Sequence, residues 1–341
     1  MNFGTLDLLD RQLVHALDID GRAPFSRIAA VLGTSDRTIA RRYRRLRSTG
    51  RFQVVGLAEP TRVGHVQWFV RIRCTPDAAT SVATALARRD DTAWVSLNSG
   101  GTEIICTVRT RSDEERDSLL LQKLPRTPRV ISVSAHYVLH QFVRGPRGWG
   151  ARLGALTEHQ ADELLATEPG AAGDTGRGGD RARIELADGD EAMLAVLARD
   201  GRAGYAELAA ASGWSESMAR RRMDFLRQAG ALFFDIDIDA RLLGFRTEAM
   251  LWLTVAPSEL AAVGEALASH IEIPFAAATT GPTNVVATVI CPDTPALYRY
   301  LTERIGALDA VRQAETAPRI RHLKRAGTPD PRWASGSRAA S

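Results

Sequence analysis

The feature that most constrains this chain is that it repeats itself. Asp20-Gly21-Arg22-Ala23 returns as Asp200-Gly201-Arg202-Ala203, an offset of 180 residues. The same offset carries Ala29-Ala30 to Ala209-Ala210, Gly33 to Gly213, Ser35 to Ser215, Arg41-Arg42 to Arg221-Arg222, Leu46-Arg47 to Leu226-Arg227 and Gly50 to Gly230. From Gly100 onward the offset is 181, matching Gly281, then Thr102 with Thr283, Thr107-Val108 with Thr288-Val289 and Val130 with Val311. A register held over such a span with one insertion marks a duplication. The two copies run roughly over 6–142 and 186–323, and with 341 residues the chain exceeds what one hydrophobic core usually covers.

Each copy opens on a helical pattern. In the first, Leu6, Leu9, Leu13 and Leu17 fall on one stripe, and Asp20-Gly21 breaks it. Pro24 and Ser26 start a short second helix that Gly33 ends, as glycine does where a left-handed residue is needed. Ser35 then caps a third helix with Ile39, Tyr43 and Leu46 as its apolar stripe, and Gly50 stops it. Helix, short helix, tight turn, third helix is a helix-turn-helix, expected at 1–60 and again at 185–240.

The third helix turns a dense basic face away from its stripe: Arg37, Thr38, Arg41, Arg42, Arg44, Arg45 and Arg47, opposed only by Asp36. The guanidinium fork suits phosphate and the O6/N7 edge of guanine. Residues near the start of a recognition helix reach base edges. Arg37, Thr38 and Arg41 are therefore expected to read bases, and Arg42, Arg45 and Arg51 to hold phosphates of double-stranded DNA. The second copy keeps the scaffold through Ala219, Met223, Leu226 and the cap Ser215, and retains Arg220, Arg221, Arg222 and Arg227. Ser217 stands where the first copy has an arginine, and Glu216 and Asp224 dilute the charge, so weaker binding or a different half-site is expected there.

A strand-like run follows each helix-turn-helix, 52–58 and 232–238, expected as a wing or connector. Each copy then reads β, α, β, β, α, β. The strands are expected near 66–74, 93–98, 103–109 and 130–142, and near 247–255, 274–280, 284–290 and 311–323. The helices are expected near 77–89, 112–124, 258–269 and 294–306. The fold class is thus α+β: two tandem units, each a (winged) helix-turn-helix followed by a ferredoxin-like βαββαβ domain at 64–143 and 244–324. The exposed sheet face of so small a domain needs a partner, which a second copy could supply. The stretch 144–184 is expected as a linker with a short helical patch, and 325–341 as a disordered tail. The turns at Gly100 and Gly281 read on spacing alone as glycine hairpins.

The bulk numbers narrow the function class. The chain is 45% hydrophobic and 25% charged with a net charge of +4, which permits a nucleic-acid partner without requiring one. Cys74, Cys106 and Cys291 have no paired spacing, which argues against a disulfide framework and a zinc site. No cofactor, metal site or catalytic constellation is expected. Neither a signal segment nor an apolar run long enough to span a bilayer stands out, so a cytoplasmic protein with no membrane partner is expected.

Leu8-Leu9-Asp10, Asp20-Gly21-Arg22, Ile28-Ala29, Gly33-x-Ser35, Arg41-Arg42-x3-Leu46 and Gly50 together resemble the Lrp/AsnC (feast/famine) family of regulators, and the second copy repeats most of them. The resemblance implies a sensing and dimerising role for the α+β domains, with an amino acid or another small-molecule effector near the middle turns. That would engage Gly100, Thr102 and Glu103 in one copy and Gly281, Thr283 and Asn284 in the other. The family's turn reads Gly-x-x-Asp, and Glu103 and Asn284 both depart from it. Self-association through these domains, within the chain or between chains, is also implied. The alternative is an enzyme like the siroheme decarboxylases that resemble the same family. His65, His136, His140 and Arg71 are its candidate residues, but they form no histidine-rich run.

Overall fold

The computed structural model describes residues 6–111, 114, 124, 126–127, 129–143, 154–166 and 183–329. The expected helix near 112–124, most of the linker and the tail beyond 329 lie outside the described residues. The chain divides into two compact units, and the division cuts across the repeat. One unit takes residues up to Gly64 and Arg144–Gly244, hence both helix-turn-helix copies; the other takes His65–Val143 and the chain from Phe245, hence both α+β domains.

In the first unit the helices are α1 (Leu8–Ile19), α2 (Phe25–Val31) and α3 (Asp36–Ser48), followed by strand β1 (Phe52–Ala58). Helix α5 (Glu158–Leu165) comes from the linker. The second copy supplies α6 (Asp190–Arg199), α7 (Tyr205–Ser212), α8 (Glu216–Gln228) and β6 (Leu232–Ile238). The local signals act as chemistry requires. Ser35 Oγ accepts from the Thr38 N–H and Ser215 Oγ from the Met218 N–H, each satisfying a donor that the helix leaves unpaired. Gly33 and Gly213 take left-handed φ values of 63° and 75° where the turn demands them.

No wing forms from the runs that follow the helices. β1 and β6 pair with each other, antiparallel, from Phe52 opposite Ile238 to Ala58 opposite Leu232. Each run offers an edge that its own copy does not cover, and the second copy covers it. Around this ribbon lies a single core shared by both copies, with Leu13, Ile28, Ile39 and Leu46 from one and Met193, Leu208, Met223 and Leu226 from the other. The helical patch of the linker belongs to this core: Leu164 is fully buried, Gln160 donates to the Val31 carbonyl, and His15 Nδ1 accepts the Leu156 N–H at 3.1 Å.

The second unit holds β2 (Val66–Cys74), α4 (Pro76–Ala87), β3 (Thr92–Asn98), β4 (Glu103–Thr110) and β5 (Val130–Gln141). Its other half holds β7 (Thr247–Val255), α9 (Leu260–Ser269), β8 (Phe275–Thr279), β9 (Val285–Cys291), α10 (Thr294–Arg299) running into a π-helical turn, and β10 (Val311–Arg325). The strand orders β5-β2-β4-β3 and β10-β7-β9-β8 are the ferredoxin-like arrangement expected for each copy. The last strands overrun their own domains. Val138–Gln141 pairs with β8, and Arg319–Lys324 pairs with β3, so eight strands close into a ring that leaves few edges open. β10 then turns at Ala326-Gly327 into the two-residue β11 (Thr328–Pro329), so residues 325–329 belong to the sheet and not to the tail.

Alternation along the strands sorts the side chains. Val70, Ile72, Val95 and Leu97 pack with α4, while Ala249, Leu251 and Leu253 pack with α9 and the π-helical turn. The opposite faces bring Phe69, Ile105, Met250, Trp252 and Val286 together in a separate core between the two sheets.

Candidate nucleic-acid interface and sensor turns

Helix α3 displays a continuous polar surface because its three buried residues, Ile39, Tyr43 and Leu46, occupy one stripe. Arg37, Thr38, Arg41 and Arg44 line a shallow open depression with Ser35. Among the described residues, Arg37, Arg41 and Arg44 have no ion-pair partner. Arg44 Nε donates to the Ala40 carbonyl at 3.3 Å, and three guanidinium groups without a carboxylate partner, with a hydroxyl at the start of a capped helix, form a surface suited to an anionic polymer.

The other expected contacts have different surroundings. Arg42 Nη1 donates to Asp7 Oδ2 at 2.6 Å and to Asp10 Oδ1 at 2.8 Å, and Asp10 is buried. Hydrogen bonding to these carboxylates raises the Arg42 pKa, and the same bond to Arg42 lowers that of Asp7. In the second copy Arg222 grips the fully buried Asp190 in the same way, at 2.6 Å. These arginines clamp the recognition helix to the first helix of its own copy. Arg45 also contacts Asp10 but stays half exposed. Arg51 lies 4.0 Å from Asp239. Arg47 pairs with Asp200 at 2.6 Å and Arg227 with Asp20 at 3.5 Å, each across to the other copy.

The second recognition surface is thinner. Ser217 is exposed beside Ser215, Arg221 donates to the Met218 sulfur at 2.9 Å, and Arg220 stacks on the Tyr205 ring at 4.6 Å. Carrying the 180-residue offset onto exposed positions would have flagged Met218 opposite Thr38 and Phe225 opposite Arg45, neither of which the sequence reading singled out. Phe225 is exposed.

The middle turns of the two α+β domains do not present their polar groups alike. Gly100 and Gly101 adopt φ values of 71° and 88°, and Thr102 Oγ1 caps the turn on the Ser99 carbonyl. Glu103 is buried and accepts from Arg71 Nε at 2.8 Å and from Ser99 Oγ at 3.1 Å. Arg71 also donates both ends of its fork to Glu315 and lies 4.5 Å over the Trp252 ring. In the other turn Asn284 is fully committed to the end of β7, accepting from the Val255 N–H and donating to its carbonyl. The Thr283 carbonyl accepts from Thr279 Oγ1. Gly281 sits against His136, whose Nδ1 is 2.9 Å from the Thr280 carbonyl oxygen. Of the decarboxylase-type candidates, Arg71 is therefore held by two carboxylates and His136 by the turn. His140 packs edge-on against Phe142 at 4.9 Å, and His65 precedes β2. Among the described residues no cluster of His, Cys, Asp and Glu could hold a metal ion, and no helix is long and apolar enough to cross a membrane.

Comparison with known proteins assigns every domain. The family model for the AsnC-type helix-turn-helix domain matches residues 6–47 and 187–227. That for the Lrp/AsnC ligand binding domain matches 67–147 and 248–329, so the matches cover well over half of the chain. An HTH-type transcriptional regulator of Mycobacterium tuberculosis is 31% identical over 143 residues, 40% of this chain and 94% of its own. The HTH-type transcriptional regulator FL11 of Pyrococcus abyssi is 27% identical over 118 residues, 34% of this chain and 78% of its own. Each relative thus corresponds to one copy of the repeat. Among solved structures, the siroheme decarboxylase NirDL superposes with a TM-score of 0.61 over 96% of both chains at 14% identity, a likeness of fold.

Proposed function

The chain belongs to the Lrp/AsnC family of transcriptional regulators, carrying both of its domains twice, and from that premise we propose that it binds double-stranded DNA sequence-specifically through α3. Arg37, Thr38 and Arg41 face the bases, and Arg44 and Arg45 the phosphates. The observation that carries this reading is the depression lined by Ser35, Arg37, Thr38, Arg41 and Arg44, cationic and without ion-pair partners among the described residues. Arg42 and Arg222 are left to the scaffold, because their forks are filled by Asp10 and Asp190. The α+β unit senses a small-molecule effector near the turns at Gly100–Glu103 and Gly281–Asn284, and the protein acts in the cytoplasm, where its DNA is. No catalysis is assigned to it.

A gel-shift titration against the DNA upstream of its own coding sequence, at two salt concentrations with competitor DNA, tests this. Retention that is specific and falls with salt supports it. No retention at low salt overturns it. The fold shared with NirDL favours one other reading, a tetrapyrrole enzyme, and a Soret band on adding an iron porphyrin is its signature. The occupied forks of Arg71 and the turn-bound His136 weigh against it.

A further inference from the structure

The two recognition helices are not interchangeable, yet the fold presents them as a pair. The β1–β6 ribbon and a core shared by both copies hold α3 and α8 in one compact unit. Where two identical chains pair their helix-turn-helices, both helices carry the same residues, and two-fold protein symmetry is mirrored by a palindromic site. Here one chain supplies both helices, and their exposed positions differ. Arg37 stands where the second copy has Ser217, Thr38 where it has Met218, and Arg44 where it has Asp224. Arg41 and Arg221 are the same and both exposed, and the second copy adds an exposed Arg220 where the first has Ala40.

We propose that the operator is non-palindromic and that the chain binds it in one fixed orientation, α3 on a guanine-rich half-site and α8 on a different, guanine-poor one. The inference rests on the DNA-binding reading above. Arginine forks select guanine through O6 and N7, so α3, with Arg37 and Arg41 turned to the bases, favours guanines at those two contacts. Helix α8 keeps one such contact through Arg221, since Arg220 is stacked on the Tyr205 ring. Met218 offers an apolar surface to a thymine methyl in place of a hydroxyl, and the Asp224 carboxylate, at the position of Arg44, repels phosphate. Because both helices belong to one chain and share one core, every molecule carries this difference.

Selection of bound duplexes from a random double-stranded library by the full-length protein tests the idea. Sequencing is expected to return two unlike half-sites in constant order. A duplex in which the α8 half is replaced by an inverted copy of the α3 half should bind at least about tenfold more weakly. The triple variant Ser217→Arg, Met218→Thr, Asp224→Arg leaves the buried stripe of Ala219, Met223 and Leu226 untouched, and its selected site should become an inverted repeat of the α3 half. A palindromic site from the unaltered protein, or a site that the triple variant leaves unchanged while the variant retains its thermal midpoint, overturns the polarity and leaves DNA binding standing. No enrichment at low salt from either protein removes the proposal together with the reading beneath it.

Discussion

Arg22 and Arg202 grip each other's loops reciprocally. Arg22 donates to the carbonyls of Gly201 at 2.7 Å and Ala203 at 3.0 Å, and Arg202 donates to those of Gly21 at 2.7 Å and Ala23 at 3.0 Å. Each fork also lies over rings, Arg22 over Tyr205 and Phe234, Arg202 over Phe25 and Tyr43. Burial pulls both guanidinium pKa values down, and the charge persists because the ordinary value is so high. The repeated Asp-Gly-Arg-Ala segment is therefore the seam between the two copies.

Removing one side of that seam should loosen the DNA-binding unit. Arg22→Ala deletes two charge-assisted hydrogen bonds and two ring contacts, an expected loss of about 2 kcal/mol in urea unfolding. Gly21→Ala tests the same seam sterically. A Cβ there would lie 2.8 Å from both Phe234 Cβ and Val54 Cγ1, and overpacking of this kind costs about 1–3 kcal/mol. Wild-type stability in either variant would show that the seam is incidental.

Neighbouring arginines on α3 should separate cleanly. Arg42→Ala strips the buried Asp10 of a bonded partner and is expected to cost about 2 kcal/mol of stability. Arg41→Ala, on the exposed face, is expected to stay within about 0.5 kcal/mol of wild type while weakening DNA binding. Paired urea melts and gel shifts on the two variants check both halves of the contrast.

Acid should weaken the attachment of α5. His15 Nδ1 accepts a backbone N–H from Leu156, which only the neutral ring can do, and burial lowers its pKa below the ordinary 6.5. A histidine depressed in the folded state contributes stability that is complete above about pH 6.5 and is lost as pH falls toward the folded pKa. His322 is lowered first by burial, with Glu248 opposing, and acts in the same direction. Stability measured from pH 7.5 down to 5 should therefore decline, and His15→Gln should flatten part of the decline. An unchanged slope in that variant would exclude His15 as a contributor.

Gly281 is predicted to tolerate no side chain. Its φ is 108°, and a Cβ would fall 2.6 Å from His136 Nδ1, next to Trp252. Gly281→Ala should lower the melting temperature and perturb tryptophan fluorescence, with an expected cost above about 1 kcal/mol.

The repeat also shows where the copies have diverged inside the α+β unit. Glu248 binds Arg319 and His322 where the crossing strand β10 enters the first domain, and the surrounding positive groups hold its carboxyl far below the usual range against the opposing effect of burial. At the equivalent crossing of β5 the first copy has only the neutral pair Gln67 and Gln141, 3.3 Å apart. Lys324, buried on the same strand, donates to the Arg89 carbonyl at the end of α4. The two crossings are therefore built alike in backbone and differently in charge.

Features that depend on near neighbours along the chain are legible in the residues alone. Stripe spacing, the caps Ser35 and Ser215, the left-handed glycines and the alternation of the strands place helices and strands within a few residues of where they lie, because each signal acts over one turn or one pleat. The repeat and its family resemblance are legible for the same reason. Tertiary structure alone decided which edges meet: β1 with β6, the end of β5 with β8, the end of β10 with β3. It also decided which arginines are spent, since Asp7 and Asp10 reach Arg42 from 35 and 32 residues upstream and Asp200 reaches Arg47 from the other copy. Charge on a helix face is written locally; the carboxylate that neutralises it is chosen by packing between segments far apart in the chain.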